Sequence, residues 1–114
     1  MIFIIDSDEI VAECVARATR REVRIFGDAI EAMVAIGDGE IPDLIYMDVL
    51  MTGPDGFTFL NELISYDDTS TIPVVIVSPI DFSNKDLSAY GVVGVLNKDT
   101  MTPEEILKYA EKYA

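Results

Sequence analysis

The chain has no histidine, no tryptophan, one cysteine and only eight basic residues in 114. Without an imidazole, every mechanism that needs a histidine of this chain is excluded. Cys14 alone forms no internal disulfide and no cysteine-based zinc cluster. Long apolar runs are also missing. Stretches such as Met1–Ile5 stop within five residues, far below the about 18 a membrane helix needs. Asp6 also ends that stretch before it reaches signal-peptide length. Cation scarcity points the same way. Eight Lys and Arg against 21 Asp and Glu give a net charge of −13, and such a surface repels nucleic acid and anionic membranes. The expectation is a cytoplasmic protein that binds neither.

Half of the residues are apolar and a quarter are charged, which is ordinary globular composition. The length suits one domain, residues 1–114, with a real core. No repeat, linker or low-complexity tract interrupts it. Ile2-Phe3-Ile4-Ile5 reads as a buried strand. Ile10, Val11, Cys14, Val15 and Ala18 follow at helical spacing. Val23 to Phe26 is a weaker strand. Asp28 opens a second helix with Glu31 three residues on, a capping-box pattern, and Ala29, Ala32, Met33 and Ile36 form its apolar side. Leu44 to Met47 and Pro73 to Val77 are further buried strands, separated by the Thr52–Gly56 loop and a helix carrying Phe57, Leu60, Leu63 and Ile64. Ser83 to Tyr90 is poorly patterned, with room for one or two helical turns. Val92 to Leu96 is the last strand. Thr102-Pro103-Glu104-Glu105 opens the final helix. Strand and helix thus alternate five times, which predicts an α/β fold with a doubly wound, five-stranded parallel sheet.

In such a sheet ligands bind at the carboxyl ends of the strands. The residues there are chemically distinctive: Asp6, Ser7 and Asp8 after the first strand, Asp48 after the third, Ser78 after the fourth, Asn97 and Lys98 after the fifth. An isolated Asp after a strand is usually a turn residue or helix cap. Here different core strands each contribute a polar end. Grouped carboxylates suit Mg²⁺. A lysine beside them can pair with Asp48 or hold a phosphoryl oxygen.

The pattern resembles the response-regulator receiver family over nearly the full length. Its strongest segment is Asp43-Leu44-Ile45-Tyr46-Met47-Asp48-Val49-Leu50-Met51-Thr52-Gly53-Pro54-Asp55-Gly56. The resemblance implies a flavodoxin-like (βα)5 fold and a phosphorelay role. Asp48 is then the acceptor of a phosphoryl group from a histidine kinase or phosphotransfer protein. Asp6, Asp48 and the Leu50 carbonyl are the implied Mg²⁺ ligands, Ser78 the switch hydroxyl and Lys98 the phosphate-contacting lysine. An output domain or target protein would read the result. No separate enzyme activity is implied beyond the domain's own phosphotransfer and dephosphorylation.

Four positions depart from the family pattern. Ser7 stands where a second metal-ligating acid is usual, which weakens the metal site. Pro79 removes a backbone N–H that helps hold the phosphoryl group. Asp99 replaces the proline after the lysine. Val95 replaces the switch aromatic, for which Tyr90 is the nearest substitute. Two other readings stay open. One is a degenerate receiver that uses the same face as a phosphorylation-independent interaction module. The other is a haloacid-dehalogenase-like phosphatase, which Ile4-Ile5-Asp6-Ser7-Asp8 also resembles, with Asp6 as nucleophile and Asp8 as general acid. Asp81, Lys85 and Asp86 before the last strand, and Glu104, Lys108, Glu111 and Lys112 on the last helix, read as solvated charge. Met47 and Met51 read as core and loop fillers.

Overall fold

The computed structural model describes residues 1–50, 56–80, 82 and 86–114. The loop predicted at Thr52–Asp55, Met51, the start of the poorly patterned segment at Ser83, and the charges Asp81 and Lys85 lie outside the described residues.

The elements are β1 (Ile2–Ile5), α1 (Glu9–Thr19), β2 (Val23–Phe26), α2 (Ala29–Gly37), β3 (Leu44–Met47), α3 (Gly56–Ile64), β4 (Val74–Ser78), a 3-10 turn (Ser88–Tyr90), β5 (Val92–Asn97) and α4 (Pro103–Tyr113). The strands form one parallel sheet in the order β2-β1-β3-β4-β5. Side chains alternate across it, so it carries two cores. Phe3, Ile5, Ile45, Met47, Val74 and Ile76 pack under α2 and α3. Ile2, Ile4, Leu44, Tyr46, Val75 and Val77 pack with α1 and α4. Burial on both faces explains why β1, β3 and β4 are continuous apolar runs.

The five-fold strand–helix alternation needs correction at its fourth repeat. Among the described residues, the connection from β4 to β5 holds a 3-10 turn and no α-helix. Asp86 takes the N–H and the hydroxyl of Ser88, fixing a local turn that competes with a helix. Leu87 is buried, and Gly91 closes the segment at φ 79°. Tyr90 and Phe82 instead pack edge-on against Phe57 of α3, with ring centroids 5.8 and 6.3 Å away.

Helix faces also differ from the predicted ones. In α1 the buried residues are Ala12, Val15 and Thr19, while Ile10 and Cys14 are exposed. In α2 Ala35 is buried beside Ala29 and Ala32, and Met33 and Ile36 only partly. In α3 Phe59 joins Leu60 and Leu63 in the core, Phe57 is partly buried and Ile64 is exposed. Asp28 caps the Glu31 N–H at 2.8 Å, one half of the expected capping box. Thr102 and Glu105 form both halves. Met47 is a core residue.

Two close approaches hold the helices. The Tyr109 ring of α4 lies against Gly94 of β5, where any Cβ would collide with it. Tyr46 donates its hydroxyl to the Ile106 carbonyl of α4 at 2.6 Å, and burial pushes that phenol above the ordinary tyrosine range.

Candidate functional site

The register decides which side chains can meet. Ile5 pairs with Met47, so Asp6 and Asp48 leave β1 and β3 at one level. Ser78 pairs with Asn97, so Lys98 emerges one residue later. The ladder continues past each strand end. The N–H of Asp6 donates to Phe26, that of Asp48 to Ile5, and that of Lys98 to Ser78, all at 3.0–3.1 Å. These bonds hold each functional backbone to its neighbouring strand.

Both acids then fold their chain back. Asp6 Oδ1 accepts the Asp8 N–H and Asp48 Oδ1 accepts the Leu50 N–H, each at 2.8 Å. These Asx-type turns carry the chain off the sheet. They leave Asp48 Oδ2 facing Lys98, whose Nζ lies 2.7 Å away. The same ammonium is 3.0 Å from Asp6 Oδ2 and 3.2 Å from Asp6 Oδ1. One cation thus bridges two buried carboxylates, leaving a local charge of −1. Burial raises the pKa of Asp6, and Asp48 adds to the rise; the Asp8 N–H and Lys98 oppose it. Burial works against the Lys98 ammonium, but hydrogen bonds to Asp48 and Asp6 outweigh it, so its pKa is raised.

Ser78 is buried at the end of β4, and its Oγ accepts the Ile80 N–H at 3.2 Å. Leu50 and Ile80, the residues two beyond Asp48 and Ser78, are about half exposed. Ser7 is exposed. Asp8 is the N-cap of α1, its Oδ1 taking the N–H groups of Ile10 and Val11. That carboxylate is engaged with its own helix. Val95 is 37 % exposed on the edge strand, and Tyr90 is held in the aromatic group with Phe57. The sequence pattern had paired Lys98 with Asp48 alone. Its simultaneous hold on Asp6 had no signal beyond the shared strand level.

Comparison with known proteins agrees with this arrangement. Residues 2–111 match the family model for the response regulator receiver domain. The chain belongs to that family, the receiver domains of two-component signalling. It is similar to a protein-glutamate methylesterase/protein-glutamine glutaminase 2 of Oleidesulfovibrio alaskensis, at 29% identity over 94% of this chain and 32% of the relative. The chain therefore spans about a third of that relative's length. Among solved structures, the NtrX receiver domain of Brucella abortus superposes with a TM-score of 0.83 at 25% identity, covering 99% of this chain and 97% of that one. The chemotaxis response regulator CheY4 of Vibrio cholerae has a TM-score of 0.83 at 23% identity over the same shares, a likeness of fold. The flavodoxin-like receiver fold stands, and the family matched over residues 2–111 is the receiver domain.

Receiver domains as a family use Mg²⁺, so the donor set here bears testing. Among the described residues no group of three or more acidic, cysteine or histidine side chains could hold a metal. Two carboxylates remain, Asp6 and Asp48. Mg²⁺ keeps several waters and is commonly bound by one or two carboxylates together with substrate phosphate. The residues fit such a weak, phosphate-completed site and not a dedicated cage.

Proposed function

We propose that this chain is a single receiver domain whose Asp48 accepts a phosphoryl group from a phosphohistidine on a histidine kinase or phosphotransfer protein. The pairing of Asp48 with Lys98 at 2.7 Å, beside buried Asp6, supports this reading most strongly. One Asp48 carboxylate oxygen attacks phosphorus in line. The P–N bond of the donor breaks, and its electron pair returns to the imidazole. The product is an acyl phosphate.

Asp6, Asp48 and the Leu50 carbonyl are the residues that would hold Mg²⁺, and Ser7 is a weak addition. When bound, Mg²⁺ neutralises negative charge on the phosphoryl oxygens. Lys98 does the same from the chain itself, moving its ammonium from Asp48 Oδ2 to a phosphoryl oxygen. The Ser78 hydroxyl turns from the Ile80 N–H to donate to another. That turn draws on the β4 end and alters the surface that an output domain or target protein reads. No helix of the described residues is long and apolar enough to cross a membrane. We place the domain in the cytoplasm, with no direct contact to nucleic acid or lipid. The activities of longer relatives are not assigned to it.

The test is incubation with acetyl phosphate and Mg²⁺, followed by intact-mass measurement. Gain of one phosphoryl group, absent in Asp48→Asn, supports the proposal. Without an adduct, the degenerate receiver gains ground. Lys98 bridging both carboxylates favours that second reading, because it balances part of the charge without any metal.

A further inference from the structure

We infer that the outward face of α2, with the groove it forms against α3, docks a basic amphipathic helix of a partner protein. This site is separate from Asp48 and does not depend on its phosphorylation.

The inference begins with composition. α2 has nine residues and one ionisable side chain, Glu31. By contrast α4 presents Glu104, Glu105, Lys108, Glu111 and Lys112, as a solvated helix should. The alanines of α2 face the sheet and are buried, yet its other side is apolar too. Ile30 is 54% exposed and Val34 is 59% exposed. Spaced four apart, they are neighbours on the helix surface, and Met33 continues their stripe. A helix that is apolar on both sides has the pattern of one covered on both sides.

The stripe runs into a groove of about 340 Å³ between α2 and α3, lined by Met33, Ile36, Leu63 and Tyr66. Tyr66 is itself 58% exposed. Such a floor accepts the apolar side of a helix. Among the described residues its charged lining is of one sign, Glu62 and Asp68, and no cation lines it. All four arginines of the chain lie within residues 17–24, and none borders the groove. Of these, Arg24 is already paired with Glu40.

Charge therefore selects the occupant. A second copy docked by the same face would bring Glu62 and Asp68 against their own equivalents, and each copy carries a net −13. A partner helix with two or three branched aliphatic anchors and flanking Lys or Arg satisfies both the floor and the rim. The burial supplies affinity and the acidic rim supplies orientation and specificity.

The experiment uses a fluorescent synthetic helix of leucine and lysine and a twin with glutamate in place of lysine. The lysine peptide should bind the intact chain saturably and the glutamate twin should not. The double variant Ile30→Ser/Val34→Ser should lose roughly tenfold or more of that affinity. Both positions are more than half exposed, so circular dichroism should show the fold retained. The pair Glu62→Lys/Asp68→Lys should reverse the preference towards the glutamate twin. Glu111→Gln on α4, which removes a distant acid, should leave binding within about twofold. Acetyl phosphate labelling of Asp48 should be unchanged in every variant, which separates this site from the phosphoryl site. Lysine-peptide binding that ignores the Ile30/Val34 change, or no binding, overturns the inference. So does a dimer of the unliganded chain, seen by sedimentation, that dissociates in the Ile30/Val34 variant, since a second copy then covers the face.

Discussion

Lys98 Nζ reaches Asp48 Oδ2 at 2.7 Å across fifty residues of sequence and, from the same position, both oxygens of Asp6. The side chains of the two acids are 3% and 8% exposed. The ammonium is thus a structural counter-ion as well as a candidate phosphoryl contact.

Removing it should cost stability. Lys98→Ala leaves two carboxylates facing each other at a buried edge. Loss of one partner of a buried pair typically costs several kcal/mol, so a fall of roughly 3 kcal/mol in unfolding free energy is expected. Urea denaturation with chelator present measures it. The double variant Lys98→Ala/Asp48→Asn should recover part of the loss.

The same pair has a pH signature. Lys98 has a folded-state pKa above its ordinary 10.5. A raised value means its contribution is full below 10.5 and is lost as pH rises through the folded value. Asp6 is also raised above its ordinary 3.8, so relative to the unfolded chain folding favours its protonation, a contribution full below 3.8 and lost as pH rises through the folded value. With chelator present, the stability gap between the native chain and Lys98→Met should be constant near neutrality and narrow as pH rises beyond 10.5. Parallel stability curves over that range would show that the ammonium contributes nothing by charge.

Gly56 opens α3 directly against Val49, where a Cβ would collide with the Val49 backbone. Its N–H also donates to the Val49 carbonyl at 3.3 Å. Gly56→Ala must therefore displace the segment that follows Asp48. We expect a loss of about 1–3 kcal/mol in thermal or urea unfolding, together with slower labelling of Asp48. Gly94→Ala meets the Tyr109 ring instead, distant in role from Asp48. It should lower stability while leaving the labelling rate unchanged.

Leu50 and Ile80 lie two residues beyond Asp48 and Ser78 and are about half exposed, and the receiver resemblance implies that these positions flank water attacking an acyl phosphate at Asp48. Neither can orient a water molecule. Once formed, the phosphorylated chain should decay slowly, followed by the loss of added mass over time. Leu50→Asn should shorten its half-life, and an unchanged half-life would show that the attacking water is held elsewhere.

Much of this was readable beforehand, and the failures are instructive. β2 and β3 fall where branched and aromatic runs predicted them, since such runs pack on a pleated, buried surface. β4 and β5 differ by a residue at their ends. The strand-end acids and Lys98 were legible because a parallel sheet gathers its carboxyl ends. The buried face of α1 was not. Ile10 and Cys14 fit a helical stripe as well as Ala12 and Thr19 do, and alanine and threonine carry little hydrophobic signal. The described residues between β4 and β5 hold no α-helix, because Asp86 and Ser88 settle a local turn that periodicity does not register. The seat of Tyr109 on Gly94 joins residues on separate elements, and no local pattern announces it.

The most direct measurement locates the phosphoryl group itself. The chain is treated with acetyl phosphate and Mg²⁺, reduced with borohydride, which converts an aspartyl phosphate to homoserine, and mapped by peptide mass spectrometry. Homoserine at position 48, and at no other aspartate, is the expected result. Homoserine at position 6, or at neither, would contradict the assignment of Asp48 as the acceptor.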